Sequence, residues 1–244
     1  MADLRDYQVR NQQVGTQAGA AIDEGLRSYM LRVYNLMAMG LAITGVASYG
    51  TYLMAANNPA FAQVLYGSPL RWVVMLAPLA MVFFLSFRVN KMSVSAAQTT
   101  FWAFSALMGL SLSSIFIVFT GQSIVQTFFI TAASFGALSL WGYTTKRDLS
   151  GMGSFLFMGL IGIIIAMLVN IFLQSSALQF AISAIGVLVF AGLTAYDTQQ
   201  IKEMYYEGDS AVAAGRKAIM GALRLYLDFI NLFLFLLQFL GNRE

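Results

Sequence analysis

Seven long apolar runs constrain the fold of this chain more than any other feature. A membrane core about 30 Å thick is crossed by roughly 20 apolar residues in a helix, and each run approaches that length. The first five runs carry no charged residue. The runs cover residues 33–54, 72–87, 96–119, 124–143, 155–173, 178–200 and 219–240. They predict an all-α integral membrane protein, a bundle of seven transmembrane helices.

The composition agrees with this interpretation. Only 10% of the residues are charged and 59% are hydrophobic, whereas soluble domains have about 25% and 45–50%. Such a chain cannot build a water-soluble surface. The polar residues 1–28 are predicted to form a disordered cytoplasmic tail, and residues 29–244 a single seven-helix membrane domain.

Lysine and arginine predict the orientation, because cytoplasmic segments of membrane proteins are enriched in them. With the N-terminus in the cytoplasm, most of the 14 basic residues lie in inner segments. These residues are Arg5, Arg10, Arg27, Arg32, Arg88, Lys91, Lys146, Arg147, Lys202, Arg216 and Lys217. Only Arg71 and Arg243 lie in outer segments. The scattered bases form no patch, so we predict no nucleic-acid partner.

The chain contains neither cysteine nor histidine. This excludes disulfides, thiolate and imidazole metal ligands, and catalytic sites built on cysteine or histidine. No nucleophile is recognisable together with a base, so we predict neither an enzyme nor a tightly bound cofactor. Histidine is the usual switch near neutral pH, so any pH response of this chain must depend on carboxylates.

Two aspartates lie in the last two apolar runs. Asp228 is nine residues past Ile219, hence about 13 Å into the membrane at 1.5 Å per residue, and Asp197 lies nearer the inner end of the sixth helix. Acids inside a membrane are energetically expensive and are functional candidates by default. The sixth and seventh helices are consecutive and antiparallel, so both acids fall in the inner half and can approach each other. In contact, they would titrate as a coupled pair and sense pH.

Other interpretations of these acids stay open. Asp197 would mark a hydrated helix end, and Asp228 would form a structural salt bridge with Arg224, four residues earlier on the same helix face. Asn231 is a further polar neighbour in the seventh helix. Paired carboxylates also offer hard oxygen ligands, which suit Ca²⁺ or protons, so Asp197 and Asp228 are the candidate Ca²⁺ ligands.

The second run is short and contains Pro78, which predicts a kink. Arg88 ends this helix on the same inner side as Asp197 and is a candidate cation partner for it; the alternative is a simple positive-inside anchor. Glycines recur within the runs and predict close helix packing. They include Gly40, Gly45, Gly159, Gly162, Gly186 and Gly192.

Two strings resemble the sixth and seventh helices of the Bax inhibitor-1 family, which includes bacterial YccA-like and YetJ-like proteins. They are Tyr196-Asp197-Thr198-Gln199 and Leu225-Tyr226-Leu227-Asp228-Phe229-Ile230-Asn231-Leu232-Phe233. The segments 32–45 and 146–150 resemble the family as well. The likeness runs from about Leu31 to Gly241.

The resemblance implies a compact bundle with the last helix at its centre, and a pH-sensitive Ca²⁺ leak governed by a di-aspartyl unit in a bacterial cytoplasmic membrane. On that analogy Asp197 and Asp228 are the unit, and Arg88 is the latch that holds the second helix to Asp197. Some bacterial relatives carry an acid within the second helix, but residues 72–87 contain none.

The leading hypothesis is therefore a passive leak whose partners are the bilayer, Ca²⁺ and protons. The alternative is a modulator of a membrane-bound AAA protease that transports nothing itself. A proton-coupled transporter is disfavoured, because such proteins show paired repeats with helix breaks at matching positions, and only one proline break is present here.

Overall fold

Seven long helices make up the structure, a computed structural model that describes residues 3–243, with side chains from Glu24 onward. They are α1 (Asp3–Asn57), α2 (Leu70–Arg88), α3 (Val94–Leu112), α4 (Gly121–Thr144), α5 (Ser150–Leu173), α6 (Ser176–Glu203) and α7 (Ala211–Leu240). Each is long and apolar enough to cross a membrane, the third when counted through Val118. The predicted bundle of seven membrane helices is confirmed.

The described side chains of α1 begin at Glu24, and Gly25 lies against the Tyr205 side chain. The domain boundary predicted after residue 28 stays a prediction. The disorder predicted for residues 1–28 falls mostly on residues 1–23, whose side chains lie outside the described part of the chain, and it also stays a prediction. The cytoplasmic location of the N-terminus stays a prediction as well.

Four of the helices start at polar caps, which hydropathy does not detect. Ser93, Thr120, Ser175 and Ser210 each accept a hydrogen bond from the backbone N–H three residues later. Such caps satisfy N–H groups that have no partner in the first helical turn. The observed helices therefore extend beyond the predicted runs, and α7 begins at Ala211 instead of residue 219.

The third predicted span, residues 96–119, is not one helix. It breaks after Leu112 and resumes as a short helix, Ile115–Val118. The Ser113 hydroxyl donates to the Leu110 carbonyl at 2.7 Å and also bonds the Tyr66 hydroxyl at 2.9 Å. A serine side chain that competes for backbone carbonyls in this way interrupts regular helix, and the apolar pattern alone gave no sign of the break.

The last helix occupies the centre of the bundle, as predicted. Of its most apolar stretch 72% is buried, against 11% for α5, and it packs against α1, α3, α4 and α6. Tyr226 anchors it: the side chain is fully buried, its hydroxyl bonds Thr44 Oγ1 at 2.6 Å, and its ring meets Phe101 and Phe104 edge-on. α2 packs mainly on α3, and α5 mainly on α6.

Glycines allow the closest helix contacts, but not at every predicted position. A Cβ added at Gly186 would lie 2.5 Å from the Phe235 ring, so this position requires glycine for the α6–α7 contact. Close packing is wrong for Gly45 and Gly162, where an added Cβ would meet nothing within 4 Å. Spacing along the sequence does not distinguish a glycine in contact from one beside open space.

Replacing Gly142 with alanine is expected to destabilise the α4–α6 contact, because the added methyl would overlap the backbone carbonyl oxygen of Ala195. Overpacking of this kind costs about 1–3 kcal/mol. Gly136→Ala in the same helix is the matched control, since its Cβ would meet nothing within 4 Å and alanine gains about 1 kcal/mol of helix propensity. Thermal unfolding in detergent compares the two, and equal melting temperatures would contradict this packing.

Candidate functional site

Asp197 and Asp228 line one cavity of about 880 Å³ between α5, α6 and α7. Asp197 lies six residues before the end of α6, and Asp228 lies on the antiparallel α7. Ile201 of α6 packs against Gly221 of α7, a contact that fixes the register between the two helices. Lys217 fixes the connector by donating to the Met204 carbonyl at 3.0 Å. The predicted approach of the two aspartates therefore follows from the way α6 and α7 are joined.

The two carboxyl groups share this cavity and lie close enough for each to influence the ionisation of the other. Asp197 is half-buried, whereas Asp228 is only 4% exposed, and its Oδ2 has no hydrogen-bond partner among the described residues. Two ionised carboxylates can only accept hydrogen bonds, so neither can satisfy the other. A proton on either carboxyl would supply the hydrogen-bond donor that two anions lack.

Arg224 is the cation that shares this cavity with the pair. It precedes Asp228 by one helical turn and its charge acts on both carboxylates, but it forms no ion pair within 4 Å with either. The ion pair found in the described part of the chain joins Lys217 to Asp209 at 2.6 Å. The structural salt bridge between Arg224 and Asp228, one of the alternatives left open, is not formed.

Asn231 extends the polar face of α7 beyond Asp228. It lines the same cavity and donates from Nδ2 to the Leu227 carbonyl at 2.8 Å. Its side-chain oxygen remains available to the cavity. Asn231 was predicted as a polar neighbour from its place in the seventh helix, and the structure brings it to the aspartates.

The structure does not place Arg88 beside Asp197 and Asp228. It is exposed at the end of α2, the helix that packs mainly on α3, and it forms no ion pair with Asp197. The latch contact implied by the family resemblance is therefore absent from this arrangement of the helices. Being on the same side of the membrane did not predict contact, because α2 packs mainly on α3, whereas α6 packs on α4, α5 and α7.

Sequence reasoning missed the role of Gln199, two residues from Asp197. Its Oε1 accepts from the Leu149 N–H at 2.8 Å, and its Nε2 donates to the Arg147 carbonyl at 2.8 Å. Gln199 thereby holds the connector between α4 and α5. In the same connector, hydrogen bonds from Ser150 lower the pKa of the exposed Asp148 carboxyl below its ordinary value. A glutamine two residues after an intramembrane aspartate was the signal available in the sequence.

A chain of hydroxyls on the other face of α6 was also missed. Thr198 bonds Ser139 at 2.9 Å, and Ser139 bonds the Tyr34 hydroxyl at 2.6 Å. These bonds join α1, α4 and α6 beside the aspartate cavity. Interhelical hydroxyl contacts of this kind stabilise membrane bundles by about 0.6 kcal/mol each, and they hold α6 in place around Asp197.

The oxygen ligands here suit a passing cation better than a resident one. The described residues contain no group of three or more acidic, cysteine or histidine side chains. Asp197, Asp228 and the Asn231 carbonyl provide fewer oxygens than the 6–8 that Ca²⁺ takes. A calcium ion in this cavity would keep several waters, so binding would be weak and brief.

Comparisons with known proteins cover almost the whole chain. A family model described as "Inhibitor of apoptosis-promoting Bax1" matches residues 26–244. The inner membrane protein YbhL of Escherichia coli K12 is 50% identical over 223 residues, 90% of this chain and 94% of YbhL. An uncharacterized protein of Rickettsia prowazekii is 50% identical over 231 residues, 94% of this chain and 95% of that protein. The family match includes both aspartates and Arg224.

Replacing Asp228 with asparagine is expected to stabilise the protein at alkaline pH, because it removes a buried charge whose oxygen has no partner. The gain should be roughly 1–3 kcal/mol, the usual cost of a buried unsatisfied group. Thermal unfolding in detergent measures it, with Asp148→Asn on the exposed connector as the control. If Asp228→Asn melts below the unmodified protein, the ionised carboxylate is well partnered and the geometry above is wrong.

Proposed function

The chain belongs to the Bax1-I family, and on this premise we propose that it is a pH-sensitive calcium leak of a bacterial inner membrane, gated by Asp197 and Asp228. The family resemblance seen in the sequence is confirmed by the match over residues 26–244. The location rests on the similarity to YbhL, an inner membrane protein. The gating rests on one observation, the unpartnered buried oxygen of Asp228 beside a second carboxyl.

The proposed gate has two states that differ by a proton. When the pair carries net negative charge, it attracts Arg224 and any cation in the cavity, and a retained cation blocks the path. When acidification neutralises both carboxyls, that attraction is lost and the cation is released. Protonation of buried groups biases bistable elements in this way. The leak therefore opens at acidic pH and closes at alkaline pH.

Calcium fits the site because carboxylate and amide oxygens are the ligands it prefers. Conduction also requires that an ion can leave, so its binding must be weak. An incomplete coordination shell satisfies this, since the ion keeps part of its water. Protonation weakens the binding further, which supports a pathway that passes calcium when the pair is neutral and retains it when the pair is charged.

Arg224, and not Arg88, is the cation that acts on the two aspartates in this proposal. It lines the aspartate cavity, and a nearby positive charge favours the ionised form of a carboxylate. Arg224 therefore sets the pH at which the pair becomes neutral. Arg88, exposed at the end of α2, has no such contact in this arrangement.

Calcium influx into proteoliposomes with an entrapped calcium dye is expected to rise as the pH falls. Asp197→Asn and Asp228→Asn should each abolish most of this pH dependence, because an amide cannot change its charge. Asp148→Asn is the matched control, since Asp148 is an exposed carboxylate outside the cavity, and it should leave the profile unchanged.

Two results would count against the proposal. Unchanged pH profiles in both aspartate variants would remove the pair from the gate. Liposomes that stay tight to calcium at every pH, with the protein folded and inserted, would remove the leak itself.

Arg224→Gln is expected to move the pH of half-maximal influx upward by roughly one unit, the lower end of what a nearby charge does to a carboxylate. Arg88→Gln should leave that pH where it is. The same dye assay measures both. A shift caused by Arg88→Gln but not by Arg224→Gln would restore the latch implied by the family resemblance and reject the role of Arg224.

A further inference from the structure

The face of α7 that carries Asp228 continues to the C-terminal end of the helix. Four polar residues line the aspartate cavity from this face: Arg224, Asp228, Asn231 and Gln238. Their spacing of four, three and seven residues places them on one side of a helix. At 1.5 Å per residue the stripe is about 21 Å long, roughly two thirds of the thickness of a membrane core.

Gln238 lies where the aspartate cavity meets a second cavity. The second cavity has a volume of about 480 Å³, and its lining includes Asn170, Gln179 and Arg243. We call it the end pocket, because it lies where α5 and α7 end and α6 begins. Of the described residues, Gln238 alone lines both cavities. Its side chain therefore separates the aspartate cavity from the end pocket.

Hydrogen bonds hold the Gln238 side chain in this position. Its Oε1 accepts from Gln179 Nε2 at 2.7 Å, and the Ser183 hydroxyl donates to the same oxygen at 3.3 Å. The chain of bonds continues to α5, because Asn170 Nδ2 donates to Gln179 Oε1 at 3.2 Å. Three amide side chains thereby join α5, α6 and α7 at one point.

These bonds can break without a movement of the helices. Hydrogen bonds between membrane helices each contribute little to stability, and Gln238 is exposed, so water can replace its partners. The backbones of α6 and α7 stay together nearby, where Gly186 packs against the Phe235 ring. Joining the two cavities therefore requires the rotation of one side chain and not the separation of α6 from α7.

The two cavities differ in charge. Arg243 lines the end pocket, with its guanidinium carbon 5.8 Å from the centre of the Phe119 ring. Like charges repel, so Arg243 disfavours a cation in the end pocket, whereas Asp197 and Asp228 favour one in their own cavity. Gln238 thus lies between a region that attracts cations and a region that repels them.

We propose that Gln238 is the barrier that closes this end of the aspartate cavity, and that rotation of its side chain away from Gln179 and Ser183 joins the cavity to the end pocket. The role of this barrier in calcium passage rests on the leak proposed above. The barrier itself does not, because the access of water to the cavity can be measured without calcium.

The chain contains no cysteine, so a single introduced thiol reports access to the cavity. Leu234→Cys places a thiol on the cavity wall, four residues before Gln238. A charged, water-soluble methanethiosulfonate is added to this variant in nanodiscs, which expose both membrane faces, and mass spectrometry follows the rate of modification. Adding Gln238→Ala should raise this rate about tenfold, the shift expected when two hydrogen bonds are lost.

Two further variants separate the hydrogen bonds of Gln238 from its bulk and from a general loosening of the bundle. Gln238→Met keeps the length of the side chain but removes its amide, and should raise the rate about as much as alanine. Ser123→Ala removes the hydrogen bond from the Asn242 N–H to the Ser123 hydroxyl, 3.0 Å long. Ser123 lines neither cavity, so this control should leave the rate unchanged. Size-exclusion profiles establish that each variant is folded.

The barrier is rejected if the thiol reacts equally fast with glutamine, alanine or methionine at position 238. The part played by the hydrogen bonds is rejected if alanine raises the rate and methionine does not. In the proteoliposome assay, Gln238→Ala should also raise calcium influx at acidic pH severalfold without moving its half-maximal pH, because both aspartates remain.

The two readouts distinguish this inference from the proposed function. A faster thiol reaction in Gln238→Ala with no calcium influx at any pH would support the barrier and reject the leak. A pH-dependent influx that Gln238→Ala leaves unchanged would support the leak and remove Gln238 from its path.

Discussion

The enclosure of α7 by α1, α3, α4 and α6 is the constraint on which the rest of the molecule depends. A helix largely shielded from both water and lipid must satisfy its polar groups from within the bundle. Tyr226 does so through Thr44, and Asn231 through the Leu227 carbonyl. Asp228 is satisfied only in part, because its Oδ2 has no hydrogen-bond partner among the described residues. The candidate site therefore lies at the point where the pairing of polar groups on the central helix is incomplete.

Much of the fold could be predicted because hydropathy measures the property that a bilayer selects. Each predicted run of roughly 20 apolar residues corresponds to one observed span. The helix ends could not be predicted so well, since caps such as Thr120 and Ser210 are polar and lie outside the apolar stretch. The break at Ser113 was hidden for a related reason: a single hydroxyl interrupts the helix without changing its hydropathy.

The two aspartates of the candidate site could be predicted from the sequence, but the residues that contact them could not. Asp197 and Asp228 are conspicuous because ionisable residues are rare in membrane helices, and their meeting follows from the consecutive helices that carry them. The cation that accompanies them depends on which helices touch, and sequence position does not report this. Arg88 and Arg224 were both reasonable candidates, but only Arg224 lies on a helix that lines the cavity.

The hydrogen bonds of Gln199 give the aspartate site a connection to the surface. The Gln199 side chain bonds the α4–α5 connector through both its donor and its acceptor, and Asp197 lies two residues before it on the same helix. A displacement of residues 145–149 would therefore be transmitted to Asp197 through two hydrogen bonds and about half a turn of helix.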